Sequence, residues 1–447
     1  MTAPWPSGSA SAGPFPTSAM FVGGRLIELG GVAVADLAAR FGTPLYVLER
    51  TELVGRMRAY RQVFGDEVAV AYGAKALCVT GVLQLAAAEG LHLDVASAGE
   101  LRTAERAGYP MARVVLHGNN KSDQELEQAL ALGVGRIVVD SPGELERLGI
   151  LSGGRERPVD VLLRITPGVD AGTHEFIATG HDESKFGFSL SAGLAHAAVE
   201  RALLLPGVHL RGLHCHLGSQ ITDAAAFEAG ARVMTGLLAD LRDRFGATLD
   251  ELNLGGGLGV AYTRDDAVPS LDAYCAALRG AVQREAAAHR LPPPRLTVEP
   301  GRSIVGPAGC TVYRIGTIKP VPGVRTFVSV DGGMSDNLRP MLYGARYEFV
   351  PAGPGPPVDR VGPVTVVGKH CETGDVLGRG VQLPADLTEG ELLAVAATGA
   401  YGHAMASNYN RLPRPAMVLV GDGRAHLLVR RETLDDVLSR DVPLEEG

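Results

Sequence analysis

Short apolar runs alternate with amphipathic segments over much of the chain. Val68–Tyr72 shows the pattern: its residues are small, β-branched or aromatic and carry no charge, which is typical of a buried strand. The segments between such runs repeat apolar residues at helical spacing, with Ser97 as a predicted N-cap and a capping box opening at Ser122. The predicted strands are Val68–Tyr72, Leu91–Val95, Arg113–His117, Arg136–Val139, Val159–Ile165, Val208–His214, Glu251–Leu254 and Arg295–Val298.

These eight strand-and-helix units predict a closed barrel. A strand, a crossover helix and a second strand build a parallel sheet, because the crossover returns the chain to run in the same direction. Eight such units over roughly 250 residues match a (β/α)8 TIM-like barrel, which is an α/β fold. A doubly wound open sheet is the alternative, but nothing in the spacing marks the crevice that such a sheet forms at its switch point.

The regions on either side of the barrel follow other patterns. Met20–Leu29 predicts a hairpin with two glycines at its turn, and Val34–Phe41 predicts a helix. Beyond Gly306, short apolar runs separated by Gly, Pro and Asp turns predict an all-β C-terminal domain. We therefore expect a disordered lead (1–18), an N-terminal segment that joins the β-domain (19–48), the barrel (49–305) and the all-β domain (306–447).

Composition narrows the classes of partner. The net charge of −8, from 50 acidic against 42 basic side chains, argues against a nucleic-acid groove or an anionic membrane as the main partner. No run approaches the ~20 apolar residues of a membrane span, and the N-terminal lead lacks the pattern of a signal peptide. The five cysteines are odd in number and lack CxxC spacing, so neither a disulfide framework nor a zinc site is indicated. We expect a cytoplasmic protein.

In a (β/α)8 barrel, chemistry takes place at the C-terminal ends of the strands. Lys75 follows a buried strand, where an amine that loses part of its hydration can attack a carbonyl; a solvated surface lysine is the alternative. The polar residues and glycines at these strand ends are Lys75, Asp94, His117, Asn119, Asp140, Arg164, His214, His216, Gly255–Gly257, Glu299 and Arg302.

Three features of this rim each have more than one interpretation. The backbone N–H groups of Gly255–Gly257 could converge on a phosphate, or the glycines could form a tight turn. Glu299 and Arg302 could hold a ring nitrogen and an anion, or form a structural ion pair. His214 and His216 could be zinc ligands, although no third or fourth ligand is evident. Stacking on a cofactor is a better use for one of them, and a hydrogen-bonded barrel histidine is the plain alternative.

Together the rim residues match one cofactor. Pyridoxal phosphate needs an amine for its aldehyde, a site for its phosphate, a carboxylate that keeps its ring nitrogen protonated and a flat group against its ring. The lysine, the glycines, the glutamate and a histidine supply these four. We expect no metal.

A series of motifs in chain order supports this interpretation. They resemble the motifs of the diaminopimelate decarboxylases, a family that belongs with ornithine and arginine decarboxylases to the barrel-type pyridoxal-phosphate enzymes. Thr373 is a mild departure from the serine of many relatives, and the segment after Tyr401 varies among them. The motifs are Tyr72-Gly-Ala-Lys-Ala, Asp94-Val-Ala-Ser-Ala-Gly-Glu, His117-Gly-Asn-Asn-Lys, His174-Glu-Phe-Ile-Ala-Thr-Gly, Lys185-Phe-Gly-Phe, His214-Cys-His-Leu-Gly-Ser-Gln, Gly255-Gly-Gly, Glu299-Pro-Gly-Arg, Asp331-Gly-Gly-Met-Ser-Asp-Asn, Cys371-Glu-Thr-Gly-Asp and Gly399-Ala-Tyr-Gly.

The resemblance implies roles for particular residues in binding pyridoxal 5'-phosphate. Lys75 would carry the cofactor through its amine, Glu299 would face the pyridine nitrogen and His216 would stack on the ring. The expected cofactor-binding residues are Lys75, Asp94, His216, Ser219, Gly255, Gly256, Gly257, Glu299, Arg302 and Tyr401.

The resemblance also implies a substrate site. Glu372 would bind the distal ammonium of the substrate, and Cys371 would enter the active site of the opposite subunit as a proton donor. Without the resemblance, a buried thiol of the β-domain would be the preferred interpretation of Cys371. The other expected substrate-binding residues are Arg302, Arg339, Tyr343 and Tyr401.

The implied reaction is the decarboxylation of meso-2,6-diaminopimelate to L-lysine and CO2, the last step of lysine biosynthesis, in a homodimer with active sites shared across the interface. Two alternatives stay open. One is a related decarboxylase of another amino acid, against which Arg339 and Glu372 argue. The other is a non-catalytic cofactor-binding regulator, against which Lys75 and Cys371 argue.

Overall fold

The structure, a computed structural model, describes residues 13–169 and 184–444. The motif that begins at His174 lies outside the described residues. The chain divides into two compact units. The β-unit contains the described residues up to Gly55, Ala261–Asp266 and the described residues from Val305 onward. The barrel unit contains the described residues of Arg56–Val260 together with Ala267–Ile304.

The N-terminal elements agree with the sequence pattern. The predicted hairpin is present, with antiparallel strands and a turn at which Gly23 and Gly24 both have positive φ, as a tight hairpin turn requires. The predicted helix buries three apolar residues on one face. The elements are β1 (Met20–Val22), β2 (Arg25–Leu29), β3 (Val32–Ala33), α1 (Val34–Phe41), β4 (Leu45–Glu49) and α2 (Arg50–Phe64).

The barrel unit contains a closed ring of eight parallel strands, which confirms the predicted fold. Going round the ring, each strand pairs with its neighbours in the order β9, β11, β12, β13, β5, β6, β7, β8, and β8 pairs with β9 to close it. A further short strand, β10, pairs with β9. The strands are β5 (Ala69–Gly73), β6 (His92–Val95), β7 (Val114–Leu116), β8 (Arg136–Val139), β9 (Val159–Thr166), β10 (Phe188–Ser189), β11 (Val208–His214), β12 (Glu251–Asn253) and β13 (Arg295–Val298).

Helices connect these strands, and their starts confirm the predicted caps. The Ser97 side chain accepts from the Glu100 N–H, and Ser122 and Glu125 form a reciprocal capping box. Val115, Val138 and Leu162 pack together in the barrel core. The helices are α3 (Thr80–Ala88), α4 (Ala98–Arg106), α5 (Asp123–Leu132), α6 (Pro142–Leu151), α7 (Leu194–Leu204), α8 (Ala224–Phe245), α9 (Leu271–Ala288) and α10 (Arg302–Val305).

The β-unit is built on a mostly antiparallel sheet, as the sequence predicted. Strand β4 from the N-terminal segment pairs with β14 and β20, so this sheet draws on both ends of the chain. Within the described residues, no helix is long and apolar enough to cross a membrane. The remaining elements are β14 (Gly309–Val321), β15 (Arg325–Val330), α11 (Arg339–Tyr343), β16 (Phe349–Ala352), β17 (Val361–Val367), β18 (Val376–Pro384), β19 (Leu392–Val395), β20 (Ala416–Gly421), β21 (Arg424–Val429) and α12 (Leu434–Leu438).

Candidate active site

Three predicted site features meet at one edge of the barrel. Strands β12, β13 and β5 are neighbours, and their C-terminal ends lead into the triple glycine, Glu299 and Lys75 respectively. Backbone hydrogen bonds join the loops: the Glu299 N–H donates to the Gly255 carbonyl at 2.8 Å, and the Gly73 N–H donates to the Pro300 carbonyl at 3.1 Å. The loops that carry Lys75, the triple glycine and Glu299 are therefore adjacent.

Glu299 is a buried carboxylate held by three side chains. Nε2 of His117 lies 2.8 Å from Oε1, and Nε2 of His214 lies 3.2 Å from Oε2. The Asn253 amide donates to Oε1 at 2.6 Å, while its own oxygen accepts from the Gly255 N–H at 2.9 Å. The carboxylate is therefore fixed in position and supplied with donors on both oxygens.

The two imidazoles differ in protonation. Burial acts to lower the pKa of His117, but the negative charges of Asp94 and Glu299 outweigh it and raise this pKa. Burial lowers the pKa of His214 to about 4, so its ring is neutral near pH 7. Burial acts to raise the pKa of Glu299, yet the two histidines hold it well below its usual range. The site thus contains an ionised carboxylate beside a neutral His214 and beside His117, whose protonated form the neighbouring carboxylates favour.

His117, His214 and Glu299 also form the group in the described chain that could hold a metal ion, since their ligand atoms lie within 4.8 Å of one another. The sequence offered no third or fourth ligand for His214, and the structure supplies His117 and Glu299. Both imidazoles already contact the carboxylate at hydrogen-bond distance. We therefore interpret the cluster as a clamp on Glu299 and call it the Glu299 clamp, with Asn253 as its third partner.

The triple glycine is required by the packing around it. Gly255 and Gly257 have φ of 65° and 117°, which favour glycine. A Cβ at Gly256 would lie 2.1 Å from the Glu299 carbonyl oxygen. The N–H groups of Gly255 and Gly256 donate to the Asn253 side chain and to Nδ1 of His216, so two of the three glycine N–H groups have partners within the protein.

His216 presents a half-buried neutral ring. Burial lowers its pKa well below the usual range, and the nearby Lys75 charge acts in the same direction. Its Nδ1 accepts from the Gly256 N–H at 3.2 Å, which leaves the proton on Nε2. This hydrogen bond fixes the orientation of a flat, uncharged surface, as a stacking residue needs.

Arg302 and Ser219 meet beside the glycines. The Arg302 guanidinium is largely buried and donates to the Ser219 hydroxyl at 2.7 Å. A buried cation next to a hydroxyl and a glycine-rich loop is an arrangement that suits an anion such as a phosphate. The structure thus brings together two of the cofactor-binding residues that the resemblance implies.

Lys75 and Asp94 are also placed at this end of the barrel. Lys75 lies in a short 3₁₀ turn, Ala74–Ala76, and its side chain is exposed between two buried alanines. This exposure does not support the expectation that the lysine loses hydration at the end of its strand. Asp94 is buried, and burial raises its pKa. Its Oδ1 lies 3.6 Å from Nε2 of His117.

The predicted substrate residues other than Arg302 lie in the β-unit. Arg339 begins α11 and is buried among aromatic rings. Its guanidinium carbon lies 4.7 Å from the Tyr262 ring centroid and 5.9 Å from the Tyr343 ring centroid. Its Nη1 donates to the Tyr347 hydroxyl at 2.6 Å. Burial acts to lower the pKa of Arg339, but Tyr347 and the other tyrosines raise it. This is a rigid cationic site of the kind that binds a carboxylate.

Cys371 and Glu372 are exposed in the loop between β17 and β18. The Cys371 N–H donates to the Asn410 side chain at 3.1 Å, and the Tyr409 hydroxyl donates to Glu372 at 3.4 Å. The exposure of Cys371 contradicts the buried-thiol alternative. Tyr401 is half-buried, with a positive φ of 58°.

The sequence pattern does not connect His117, His214 or Asn253 with Glu299. His117 is only a rim residue there, His214 is a candidate zinc ligand, stacking residue or hydrogen-bonded barrel histidine, and Asn253 is not among the candidates. A signal was present, because an asparagine in an apolar strand that ends at the active rim needs a buried partner. What that partner is could not be read from spacing, since it is contributed by another strand.

Comparisons with known proteins agree with this geometry. Residues 50–306 match the pyridoxal-dependent decarboxylase family, specifically its pyridoxal binding domain. The diaminopimelate decarboxylase of Actinosynnema pretiosum subsp. auranticum is 50% identical over 415 residues, which is 93% of this chain and 92% of that protein. The Bacillus subtilis (strain 168) diaminopimelate decarboxylase is 46% identical over 425 residues, which is 94% of this chain and 96% of that protein.

A solved structure gives the same result. The diaminopimelate decarboxylase of M. jannaschii in complex with L-lysine superimposes with a TM-score of 0.86 at 32% identity, covering 95% of this chain and 99% of that one. Fold and site together define a barrel-type pyridoxal-dependent enzyme. The chain belongs to the pyridoxal-dependent decarboxylase family and, within it, to the diaminopimelate decarboxylases.

Proposed function

We propose that this protein converts meso-2,6-diaminopimelate to L-lysine and CO2, the last step of lysine biosynthesis, with pyridoxal 5'-phosphate as its cofactor. The names of its relatives support this substrate. The observation that carries the proposal is the Glu299 clamp, because an ionised carboxylate in a buried site is what a protonated pyridine nitrogen requires as its partner.

The residues of the barrel unit fit this cofactor. Lys75 offers an exposed amine for its aldehyde, and His216 a flat neutral ring. We assign the phosphate to the buried Arg302 with Ser219 and Gly257, because Gly255 and Gly256 use their N–H groups within the protein. When bound, the cofactor accepts the electron pair that the departing carboxylate leaves behind. The expected set is completed by Asp94, Gly255, Gly256 and Tyr401.

The role of Glu299 is electrostatic. Its low pKa keeps the carboxylate charged, so Glu299 would favour a proton on the pyridine nitrogen of a bound cofactor. The neutral His214 donates to one oxygen from Nε2, and the cationic His117 lies at the other. Both carboxylate oxygens of Glu299 therefore have partners within the protein, so the charged carboxylate can stay buried without water.

Specificity would rest on the distal end of the substrate. We assign the distal carboxylate to Arg302, Arg339 and Tyr343, with Tyr401 nearby, and the distal ammonium to Glu372. A substrate that lacks one of these charges would leave a buried partner such as Arg339 unpaired, and the free-energy cost of that loss separates the true substrate from its analogues.

We further propose a homodimer in the cytoplasm. Cys371 would serve as a proton donor in the active site of the opposite subunit, and its exposure in the single chain is compatible with that role. All five cysteines are unpaired, which fits a reducing compartment.

The proposal is tested first by Lys75→Ala, with the exposed Lys319→Ala in the β-unit as a matched control. We expect Lys75→Ala to lose both the visible absorbance of attached cofactor and CO2 release, while the control keeps both. Turnover by Lys75→Ala would remove this lysine from the mechanism.

The substrate is tested by product analysis of the wild-type protein with a panel of α-amino acids. CO2 and L-lysine from meso-2,6-diaminopimelate alone are expected. CO2 from a different amino acid would identify a related decarboxylase, and the absence of CO2 from every substrate would favour a regulator. Glu372→Ala should retain cofactor and lose discrimination between meso-2,6-diaminopimelate and an analogue without the distal amine.

A further inference from the structure

The Cys371–Glu372 segment is fixed from inside the β-unit by one buried carboxylate, that of Asp375. This side chain is almost completely buried. Its Oδ2 accepts from the backbone N–H of His370 at 2.9 Å and lies 2.9 Å from the His370 imidazole Nδ1. Hydrogen bonds thus join His370, just before Cys371, to Asp375, three residues after Glu372.

The other oxygen of Asp375 contacts a second loop. Its Oδ1 accepts from the Met334 N–H at 2.7 Å. A backbone bond from Lys369 to the Gly332 carbonyl at 2.9 Å reinforces the contact. Met334 belongs to the segment that leads directly into α11 and Arg339. One carboxylate therefore bridges the loop that carries Cys371 and Glu372 and the loop that carries Arg339.

Two glycines make room for this bridge. A Cβ at Gly333 would lie 2.6 Å from both carboxylate oxygens of Asp375, and a Cβ at Gly368 would lie 2.1 Å from Oδ2. Gly333 also has φ of 152°, a conformation that favours glycine. The close approach of both backbones to one side chain therefore depends on the absence of side chains at these positions.

The outer side of the segment is held by residues of the region after Tyr401. Asn410 accepts from the Cys371 N–H at 3.1 Å. Tyr409 stacks on the His370 ring, with centroids 5.6 Å apart and planes 7° apart, and its hydroxyl reaches Glu372. The segment after Tyr401, which varies among the relatives, is thus connected to Cys371 and Glu372.

We propose that Asp375 and Asn410 are positioning residues that set the place of Cys371 and Glu372, and that Asp375 couples them to Arg339 through the Met334 loop. This inference deepens the proposed function and rests on it for the roles of Cys371, Glu372 and Arg339. The contacts of Asp375 described above are all with the protein's own loops. It acts by holding the loops in one arrangement.

Asp375→Asn is the first test, made on the full-length, cofactor-loaded protein. Asparagine has nearly the same shape, but its amide group presents N–H donors towards the N–H of either Met334 or His370. Hydrogen exchange at these two amides is expected to accelerate about 10- to 100-fold, because a buried N–H that loses its acceptor loses protection. Glu389→Gln is the matched control: an exposed carboxylate that accepts one backbone N–H, that of Ile318.

Kinetics separate positioning from general stability. With cofactor content unchanged, Asp375→Asn is expected to lower kcat/KM for meso-2,6-diaminopimelate by about 10- to 100-fold, because small displacements of positioned groups have effects of that size. Discrimination against an analogue without the distal amine should fall in parallel. Wild-type discrimination despite accelerated exchange, or unchanged exchange at both amides, would overturn the role of Asp375.

Asn410→Gly keeps the test decisive if Asp375→Asn does not fold. Asn410 is exposed and has φ of 52°, so glycine suits its backbone while removing the acceptor for Cys371. A lower kcat with unchanged cofactor content is expected, and a wild-type kcat would refute the role of Asn410. The exchange measurements need no substrate, so they test the coupling of the loops even if the protein acts on a different amino acid.

Discussion

Nε2 of His117 lies 2.8 Å from Oε1 of Glu299, and both residues are buried at the C-terminal end of the barrel. The contact joins two side chains that are 182 positions apart, the difference between 299 and 117, at the ends of strands β13 and β7. A cation so close to a buried carboxylate stabilises its charged form. The Glu299 clamp is therefore the centre of the electrostatics of this site.

Removing the cation should weaken the clamp. His117→Gln keeps a donor near Glu299 but loses the charge, and a hydrogen bond to a charged group is worth roughly 1.5–3 kcal/mol. We expect kcat/KM to fall by about 10- to 100-fold and cofactor affinity to fall with it. Steady-state kinetics and titration of the cofactor-free protein with pyridoxal 5'-phosphate measure these effects. Wild-type values for both would exclude an electrostatic role for His117.

The same pair predicts a pH dependence of stability. The pKa of His117 is raised, so its contribution is fully present below the ordinary value of 6.5 and is lost as pH rises through the folded pKa. The pKa of Glu299 is lowered, so its contribution is present above 4.5 and is lost as pH falls through its folded pKa. The clamp should therefore stabilise most between these two values.

The measurement is urea unfolding of the cofactor-free wild type and of His117→Gln at several pH values. The difference in unfolding free energy between the two proteins should be largest between pH 4.5 and 6.5 and should shrink towards alkaline pH. A difference that does not change with pH would mean that His117 contributes packing alone.

Asn253→Asp offers a nearly isosteric change in the clamp. The aspartate can still accept from the Gly255 N–H, but it cannot donate to Glu299 and brings a second negative charge next to it. Like charges at this distance raise a carboxyl pKa, so Glu299 should bind a proton more readily. We expect kcat/KM near neutral pH to fall by on the order of 100-fold. The acidic limb of the pH–rate profile should move to higher pH, and an unmoved profile would contradict the role of an ionised Glu299 in the reaction.

Gly256→Ala tests the packing of the glycine loop. The new Cβ would lie 2.1 Å from the Glu299 carbonyl oxygen, so the backbone that carries this glutamate must move. Cofactor affinity should fall by about 10-fold or more, because a displacement of a positioned group by a fraction of an ångström has effects of that order. The control is Gly236→Ala in α8, where nothing lies within 4 Å of the new Cβ. Equal cofactor affinity in the two variants would show that the loop tolerates a side chain.

The barrel was predictable because each strand has a recognisable local sequence pattern. Strand β8, Arg136–Val139, is one example: it is apolar after its first residue, and its bounds were predicted correctly. Strand ends were less certain: His117 was assigned to a strand and lies just beyond β7, where its N–H donates to the Val95 carbonyl at 2.7 Å. The exact ends of a strand depend on its pairing with the neighbouring strand, so the local sequence pattern does not show them.

The sequence by itself determined the barrel, the β-rich second unit and which residues lie at the active rim, because hydrophobic periodicity and strand polarity are local properties of the chain. Only the tertiary structure decided that Lys75 is exposed, that two glycine N–H groups are already engaged, and that Glu299 is held by residues of three other strand ends. Burial, hydrogen-bond partners and pKa shifts arise from side chains far apart in sequence. They exist only once the strands are placed side by side.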